Sequence, residues 1–167
     1  ANGQINLIEE AIAKNFEPCQ TYSHLYVMCG VSGSGKSSWI EKHLEGYEII
    51  SLDEIRKEIN GKRECQKNIG QVLQTATQRL KTALGKKQNV VWDATNIRKD
   101  FRDVICQYGL QYGALITIVA FQLTEKALRT NNKNRQYAIP DDVITEQIER
   151  LQWPSVTEAH RMLLIGD

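Results

Sequence analysis

The chain has 167 residues, which is enough for one domain that buries a core without disulfides or metals. Hydrophobic residues make up 41% of the chain and charged residues 25%, both ordinary for a soluble globular protein. The net charge of +1 excludes a global field that attracts nucleic acid, so any polyanion has to be held by a local basic patch.

The four cysteines, Cys19, Cys29, Cys65 and Cys106, show no C-x-x-C spacing. Cys29 lies in an apolar run and Cys106 in a helical pattern, which predicts reduced, buried thiols. The chain shows no signal-peptide pattern, and its longest apolar run, at 114–121, is too short to span a bilayer. We therefore expect a cytoplasmic protein with no membrane partner.

The chain opens with apolar residues at helical spacing, namely Ile5, Ile8, Ala11 and Ile12. They predict an amphipathic helix that ends before Pro18. We expect residues 1–23 to form an N-terminal extension to a domain at 24–167. The abrupt beginning suggests a piece cut from a longer protein.

Short buried runs then alternate with helical patterns. The strands are predicted at 25–29, 47–51, 89–92, 114–121 and 162–165. Helices are predicted at about 36–44, 53–59 and 69–85, then around 101–108, 128 and 143–151. The helix around 101–108 is expected to pack through Phe101, Val104, Ile105 and Tyr108.

Strands that are separated by helices require right-handed crossovers and a parallel sheet. The predicted fold class is therefore α/β, in three layers, with a mainly parallel sheet of about five strands and helices on both faces. Ligands of such sheets bind at the carboxyl ends of the strands.

The segment after the first strand, Gly30-Val-Ser-Gly-Ser-Gly-Lys-Ser37, matches the phosphate-loop pattern G-x-x-x-x-G-K-[ST]. Its glycines let successive N–H groups face inward around an anion, and the next helix points its positive end at the same place. We predict that Lys36 reaches the β- and γ-phosphates of ATP and that the Ser37 hydroxyl binds magnesium (Mg²⁺). The predicted nucleotide contacts are Gly33, Ser34, Gly35, Lys36, Ser37 and Ser38. The residues therefore predict a P-loop NTPase fold, and the lack of an N-K-x-D motif argues against a GTPase.

The second strand ends in Ser51-Leu-Asp-Glu-Ile-Arg56. Asp53 leaves the sheet toward the phosphate loop, where it can accept the proton of an attacking hydroxyl or join the metal ligands. Arg56 lies three residues later on the same helical face and can hold an anionic group of the substrate. A helix-capping aspartate with a solvated arginine is the structural alternative.

The third strand ends in an abrupt polar run, Asp93-Ala-Thr-Asn96. Asp93 is predicted to support the Mg²⁺ ligands or to position the loop. Thr95 and Asn96 are predicted to contact substrate, or to cap the helix that begins at Arg98.

A basic segment, Arg129-Thr-Asn-Asn-Lys-Asn-Arg135, precedes Pro140 and the last helix. It predicts a lid over the nucleotide whose arginines neutralise charge during transfer. Arg135 is the first candidate and Arg129 the second. Solvated cations at a helix C-terminus are the alternative.

Together, G-x-S-G-S-G-K-S, S-x-D-x-x-R, D-A-T-N and x-I-P-x-x-V resemble the polynucleotide 5′-hydroxyl kinase modules of bacterial and phage RNA-repair enzymes, from about Leu25 onward. The resemblance implies transfer of the γ-phosphate of ATP to the 5′-hydroxyl end of RNA or DNA. It makes Asp53 the general base, gives Arg56 the phosphate next to the strand terminus, and makes Arg135 a lid arginine. It also implies loose selection among nucleoside triphosphates and a linked phosphatase or ligase domain.

Two other functions share the phosphate loop. One is a kinase of a small hydroxyl compound, such as a sugar acid, a nucleoside or an antibiotic. The other is a non-catalytic nucleotide-sensing module, which binds ATP without transferring phosphate.

Overall fold

A computed structural model describes residues 22–62, 67–135 and 137–166 of the chain. The helix predicted before Pro18 lies outside these residues, as do Cys19 and Cys65. The strands are β1 (His24–Cys29), β2 (Glu48–Ser51), β3 (Val90–Asp93), β4 (Leu115–Gln122) and β5 (Arg161–Gly166). The helices are α1 (Lys36–His43), α2 (Leu52–Asn60), α3 (Ile69–Gly85), α4 (Lys99–Gln111), α5 (Glu125–Lys133) and α6 (Asp141–Glu149).

The five strands form one sheet in the order β2-β3-β1-β4-β5, and every neighbouring pair is parallel. From β1 the chain proceeds to one edge of the sheet and later crosses to the other. The loop after β1 therefore lies at the topological switch point, where open α/β sheets leave a crevice for ligands. The predicted α/β class and strand number are confirmed.

Alternate residues of β1 face opposite layers of the molecule. Leu25 and Val27 face a core that is closed by α2, α3 and α4. Met28 faces a second core, to which α1 contributes Ile40 and its C-cap residue contributes the Leu44 side chain. The sheet is therefore covered by helices on both faces, as its continuous apolar strands require.

Helix α4 packs differently from the prediction. Phe101 and Val104 are about half exposed, and Arg102 is fully buried with Ile105. The reason is an ion pair: Arg102 Nε lies 2.7 Å from a carboxylate oxygen of Glu158, in the segment before β5. A paired guanidinium can occupy the core, which the apolar pattern alone does not reveal.

Cys29 and Cys106 are buried free thiols, as predicted. Burial raises the pKa of both, that of Cys106 to about 11, so both are protonated at neutral pH. Across the described helices, none combines the length and the apolarity that crossing a membrane requires.

Candidate active site

A cleft of about 770 Å³ opens at the carboxyl ends of the central strands. Four segments supply its walls: the loop and helix after β1, the start of α2, the end of β3, and the residues from α5 to α6. These are the same segments that carry the sequence motifs. The fold therefore brings the motifs to one place.

The phosphate loop has the backbone that its glycines predict. Gly33 and Gly35 both have φ of +87°, in the left-handed region that favours glycine. A Cβ atom on Gly33 would also lie 2.8 Å from the carbonyl oxygen of Leu128 in α5. Helix α1 begins directly after Gly35, so the free N–H groups of its first turn lie beside the cleft. This arrangement suits a bound anion.

The serines of the loop differ in position. Ser37 and Ser38 are exposed and line the cleft with Gly33, Gly35 and Lys36. Ser34 is buried and is not part of the cleft wall. Its side chain supports Lys36 instead, because the hydroxyl oxygen lies 3.4 Å from Nζ.

The Lys36 ammonium is held by the start of its own loop. Nζ donates to the carbonyl oxygens of Gly30, at 2.8 Å, and Val31, at 3.0 Å. Burial lowers the pKa of Lys36 to about 8; Asp93 opposes the shift, Arg135 adds to it and Asp53 opposes it. A bound anion would therefore stabilise the charged form of Lys36.

Asp53 and Arg56 line the cleft together and form an ion pair. Ser51, not Asp53, is the N-cap of α2, and no side chain caps that helix. The carboxylate of Asp53 remains 57% exposed and Arg56 is 22% exposed. Asp53 is therefore open to a ligand, and its charge reaches Lys36.

Asp93 lies beside Ser51 in the register of β2 and β3 and lines the cleft. Burial raises its pKa, while Lys36 lowers it, the Asp53 charge raises it and a hydrogen bond from Ser51 lowers it. Ser37, Asp53 and Asp93 thus offer the hard oxygen ligands that Mg²⁺ prefers. Within the described ranges there is no cluster of three or more His, Cys, Asp or Glu residues for a metal. These residues fit an ion that shares its ligands with nucleotide phosphates and water.

Thr95 and Asn96, which follow β3, lie in different environments. Thr95 lines the cleft, and its carbonyl oxygen accepts from Gly30 N at 2.9 Å. Asn96 is buried, with its Nδ2 donating to the Met28 carbonyl at 2.6 Å and its Oδ1 accepting from Trp92 Nε1 at 3.3 Å. The expectation that Asn96 contacts substrate or caps a helix is corrected: its amide fastens the β3 loop to β1.

The two lid arginines also differ. Arg135 is exposed, lines the cleft and acts electrostatically on Lys36. Arg129 is not in the cleft wall. Its guanidinium binds Glu125 at 2.6 Å and the Thr145 hydroxyl at 2.9 Å, so it joins α5 to α6. The structure does not bring Arg129 into the cleft, because Glu125 and Thr145 on α5 and α6 hold its guanidinium.

Two amide side chains of the cleft had not been predicted. Asn131 Nδ2 donates to the Gly33 carbonyl at 3.1 Å, and Ser32 N donates to Gln147 Oε1 at 2.9 Å. Each lid helix therefore contacts the phosphate loop directly. Asn131 lies in the basic segment predicted as a lid, but only the arginines of that segment were given a role, and nothing in the sequence singles out Gln147.

Comparison with protein families identifies the group to which this site belongs. A family model described as "AAA domain" matches residues 25–154. The chain belongs to this family. No curated protein sequence matches the chain at a significant level.

Solved structures agree on the fold. A gluconokinase from Sinorhizobium meliloti 1021 is 22% identical with a TM-score of 0.58, over 87% of this chain and 83% of its own. Chaetomium thermophilum Kti12 in complex with ADP-AlF3 is 16% identical with a TM-score of 0.60, over 85% and 88%. A chain of a Pnkp1/Rnl/Hen1 complex is 19% identical with a TM-score of 0.60, over 71% of this chain and 41% of its own. At these identities the likeness shows a P-loop kinase-like fold.

Proposed function

We propose that this AAA domain protein transfers the γ-phosphate of ATP, or of another nucleoside triphosphate, to the 5′-hydroxyl end of RNA or DNA. The observation that carries the proposal is the Asp53–Arg56 pair in the same cleft as the phosphate loop. A protein that only binds a nucleotide needs the loop but needs no exposed carboxylate beside the γ-phosphate. This favours an enzyme over a nucleotide-sensing module.

The reaction assigns Asp53 to the proton. The oxygen of the 5′-hydroxyl attacks the γ-phosphorus, and a P–O bond forms. The bond from the γ-phosphorus to the bridging oxygen of ADP breaks, and ADP leaves with that electron pair. The hydroxyl proton passes to the Asp53 carboxylate, which positions the attacking oxygen. The products are ADP and a 5′-phosphorylated end.

The cations of the cleft divide into two groups. Lys36 and Arg135 lie beside the phosphate loop and neutralise charge on the transferring group. Arg56 lies one helical turn from Asp53, so a phosphodiester held by its guanidinium would bring a strand terminus to the base. Because a single arginine serves the acceptor, the near-neutral chain needs no extended basic surface.

The metal site fits the same scheme. Ser37 and Asp93 would hold Mg²⁺ beside the phosphates, with the exposed Asp53 carboxylate next to them. The ion, when bound, neutralises charge on the β- and γ-phosphates. The residues of the chain position the acceptor and receive its proton.

A second candidate is a kinase of a small anionic hydroxyl compound. The fold likeness to a gluconokinase and to a sugar kinase from Janibacter sp. HTCC2649 favours this class. Arg56 would then bind a carboxylate of the acceptor. The motif pair S-x-D-x-x-R and D-A-T-N favours the polynucleotide acceptor.

The deciding experiment supplies γ-labelled ATP and Mg²⁺ with several acceptors. These are a 5′-hydroxyl oligonucleotide, the same strand with a 5′-phosphate, gluconate and a panel of sugars and nucleosides. We expect label on the 5′-hydroxyl strand alone, and transfer at least about 10²-fold slower with an Asp53→Ala variant. Label on a small compound only would replace the first proposal with the second.

A further inference from the structure

The side-chain amide of Gln147 links lid helix α6 to the phosphate loop and lines the cleft. Its Oε1 accepts a hydrogen bond from the Ser32 backbone N–H at 2.9 Å. A backbone N–H can only donate, so the oxygen must face the loop, and the nitrogen must occupy the other side of the amide. None of the described residues accepts a hydrogen bond from Gln147 Nε2. Two N–H donors are therefore left for a ligand.

The position of Lys36 shows which end of the triphosphate would meet this amide. Lys36 Nζ donates hydrogen bonds to the carbonyl oxygens of Gly30 and Val31, the two residues that precede Ser32. In a phosphate loop this lysine contacts the β- and γ-phosphates. The start of the loop is therefore its γ-phosphate end. Gln147, which is bonded to Ser32, lies at that end.

We propose that Gln147 is a catalytic residue whose Nε2 donates a hydrogen bond to an oxygen of the γ-phosphoryl group, while its Oε1 still accepts the hydrogen bond from Ser32 N–H. The amide adds a directed neutral donor to the charges of Lys36 and Arg135. It fixes the orientation of the group that moves, because one end of the amide is already held by the loop. The inference rests on the triphosphate binding that the proposed function requires, and does not depend on the acceptor.

The competing explanation is that Gln147 only holds the loop in shape. That role would affect ATP and ADP alike, because both occupy the loop. A donor to the γ-phosphoryl group affects ATP alone. The ratio of the two affinities therefore separates the explanations without any acceptor present.

Two variants test this ratio. Gln147→Glu keeps an acceptor for Ser32 N–H and removes the donor, whereas Gln147→Met removes both and stays neutral. Gln107→Glu, at an exposed position of α4 outside the cleft, is the matched control for the added charge. Affinities for ADP and for a non-hydrolysable ATP analogue are measured by calorimetry in Mg²⁺, with thermal unfolding to verify folding.

We expect both Gln147 variants to lose about tenfold or more in affinity for the ATP analogue relative to ADP, the value of a hydrogen bond to a charged group. The Gln107→Glu ratio should match that of the unmodified protein. An unchanged ratio in Gln147→Met, with ATP and ADP weakened equally, would overturn the proposal. An unmodified protein that binds both nucleotides but phosphorylates no oligonucleotide would refute the proposed acceptor and leave this test valid. Failure of the unmodified protein to bind either nucleotide would overturn both.

Discussion

Arg56 pairs with Asp53 across one turn of α2, and both side chains line the cleft that holds the phosphate loop. Because Asp53 is largely exposed, the pair contributes little to stability. Its consequence is functional. In the proposed reaction, an acceptor anion bound by Arg56 would compete with Asp53 for the guanidinium, so binding of the substrate would release the carboxylate for the attacking hydroxyl.

Removing the base should stop transfer while nucleotide binding persists. We expect Asp53→Ala to lower turnover by roughly 10²–10⁴-fold, the usual contribution of a positioned base. The ATP dissociation constant should change little, because the loop and Lys36 are intact. Asp100→Ala is the control, since Asp100 also pairs with an arginine but lies outside the cleft. Equal loss of ATP binding and turnover in Asp53→Ala would contradict the assignment.

Removing the acceptor cation should act on KM. Arg56→Ala is expected to raise the KM for a 5′-hydroxyl oligonucleotide by about tenfold or more, the value of a charge-assisted hydrogen bond. Steady-state kinetics with varied oligonucleotide provide the measurement. Arg98→Ala removes a similarly paired arginine at the N-cap of α4 and should leave KM unchanged. An unaltered KM in Arg56→Ala would remove Arg56 from the substrate site.

Substitutions of the two lid arginines should have different effects on turnover in the same assay. Arg135→Ala is expected to lower turnover by about 10²-fold or more, because a cation beside the transferring group is lost. Arg129→Ala should weaken the contact between α5 and α6 and lower the melting temperature, with a smaller effect on turnover. A larger loss of turnover in Arg129→Ala than in Arg135→Ala, at a temperature where both are folded, would contradict the assignment of Arg135 as the arginine beside the transferring group.

The motifs predicted most of the cleft because each lies where a parallel strand ends. Three neighbouring strands carry Lys36, Asp53, Asp93 and Thr95 at or after their carboxyl ends, and the carboxyl ends of parallel strands meet at one edge. Their proximity follows from strand order and requires no knowledge of side-chain packing. Helix α3 was predicted at 69–85 and is observed at Ile69–Gly85. Its bounds could be predicted because its long periodic pattern ends at a glycine.

The errors arose where a polar side chain turns inward. Asn96 adopts a left-handed backbone with φ of +45°, and its amide meets β1 across 68 positions of sequence. Arg102 enters the core to meet Glu158, also far away in the chain. Local spacing carries no information on such partners. Gln147 was missed for this reason too, because its partner Ser32 is 115 positions away.

Nucleotide binding should weaken as pH rises past the Lys36 titration. Burial lowers the pKa of Lys36 to about 8 in the free protein, so above pH 8 the free amine is neutral. Phosphates favour the ammonium, so binding above that pH takes up a proton, and ATP affinity should fall by up to about tenfold per pH unit. Calorimetry in buffers of different ionisation enthalpy measures the uptake. Lys36→Arg should lack this decline, because a guanidinium stays charged.

The same lowered pKa determines how the stability of the fold depends on pH. Between pH 8 and about 10.5, the ordinary value, the unfolded chain holds a proton on Lys36 that the folded chain has lost. Stability from this group therefore rises with pH in that window and is constant below it. Loss of the predicted proton uptake in the unmodified protein, with ATP still bound, would contradict the assignment of Lys36 to the phosphates.

Arg102 should prove essential to the fold although it touches no ligand. Its Nη1 donates to the Asn96 carbonyl at 2.9 Å, and burial opposes a charge on Arg102 and on Glu158. The hydrogen bonds between them nevertheless raise the pKa of Arg102 and lower that of Glu158, so both stay ionised. Arg102→Ala leaves the buried Glu158 carboxylate with the Ser155 N–H but without its cation, and we expect a loss of about 3–5 kcal/mol in the free energy of unfolding by urea.

Two further variants separate the ion pair from the space that it fills. Arg98→Ala breaks an exposed pair near the start of the same helix and should cost no more than about 1 kcal/mol. Replacing both buried partners, as Arg102→Met with Glu158→Leu, should recover most of the stability, because no unpaired charge remains. Its turnover should still be lower than that of the unmodified protein. The Asn96 carbonyl keeps the Cys29 thiol as a donor, at 3.4 Å, but loses Arg102, so the β3 loop that carries Thr95 into the cleft is no longer hydrogen-bonded to α4 through this carbonyl. Full stability in Arg102→Ala would show that Glu158 finds another partner or water, and that the pair does not set the position of this loop.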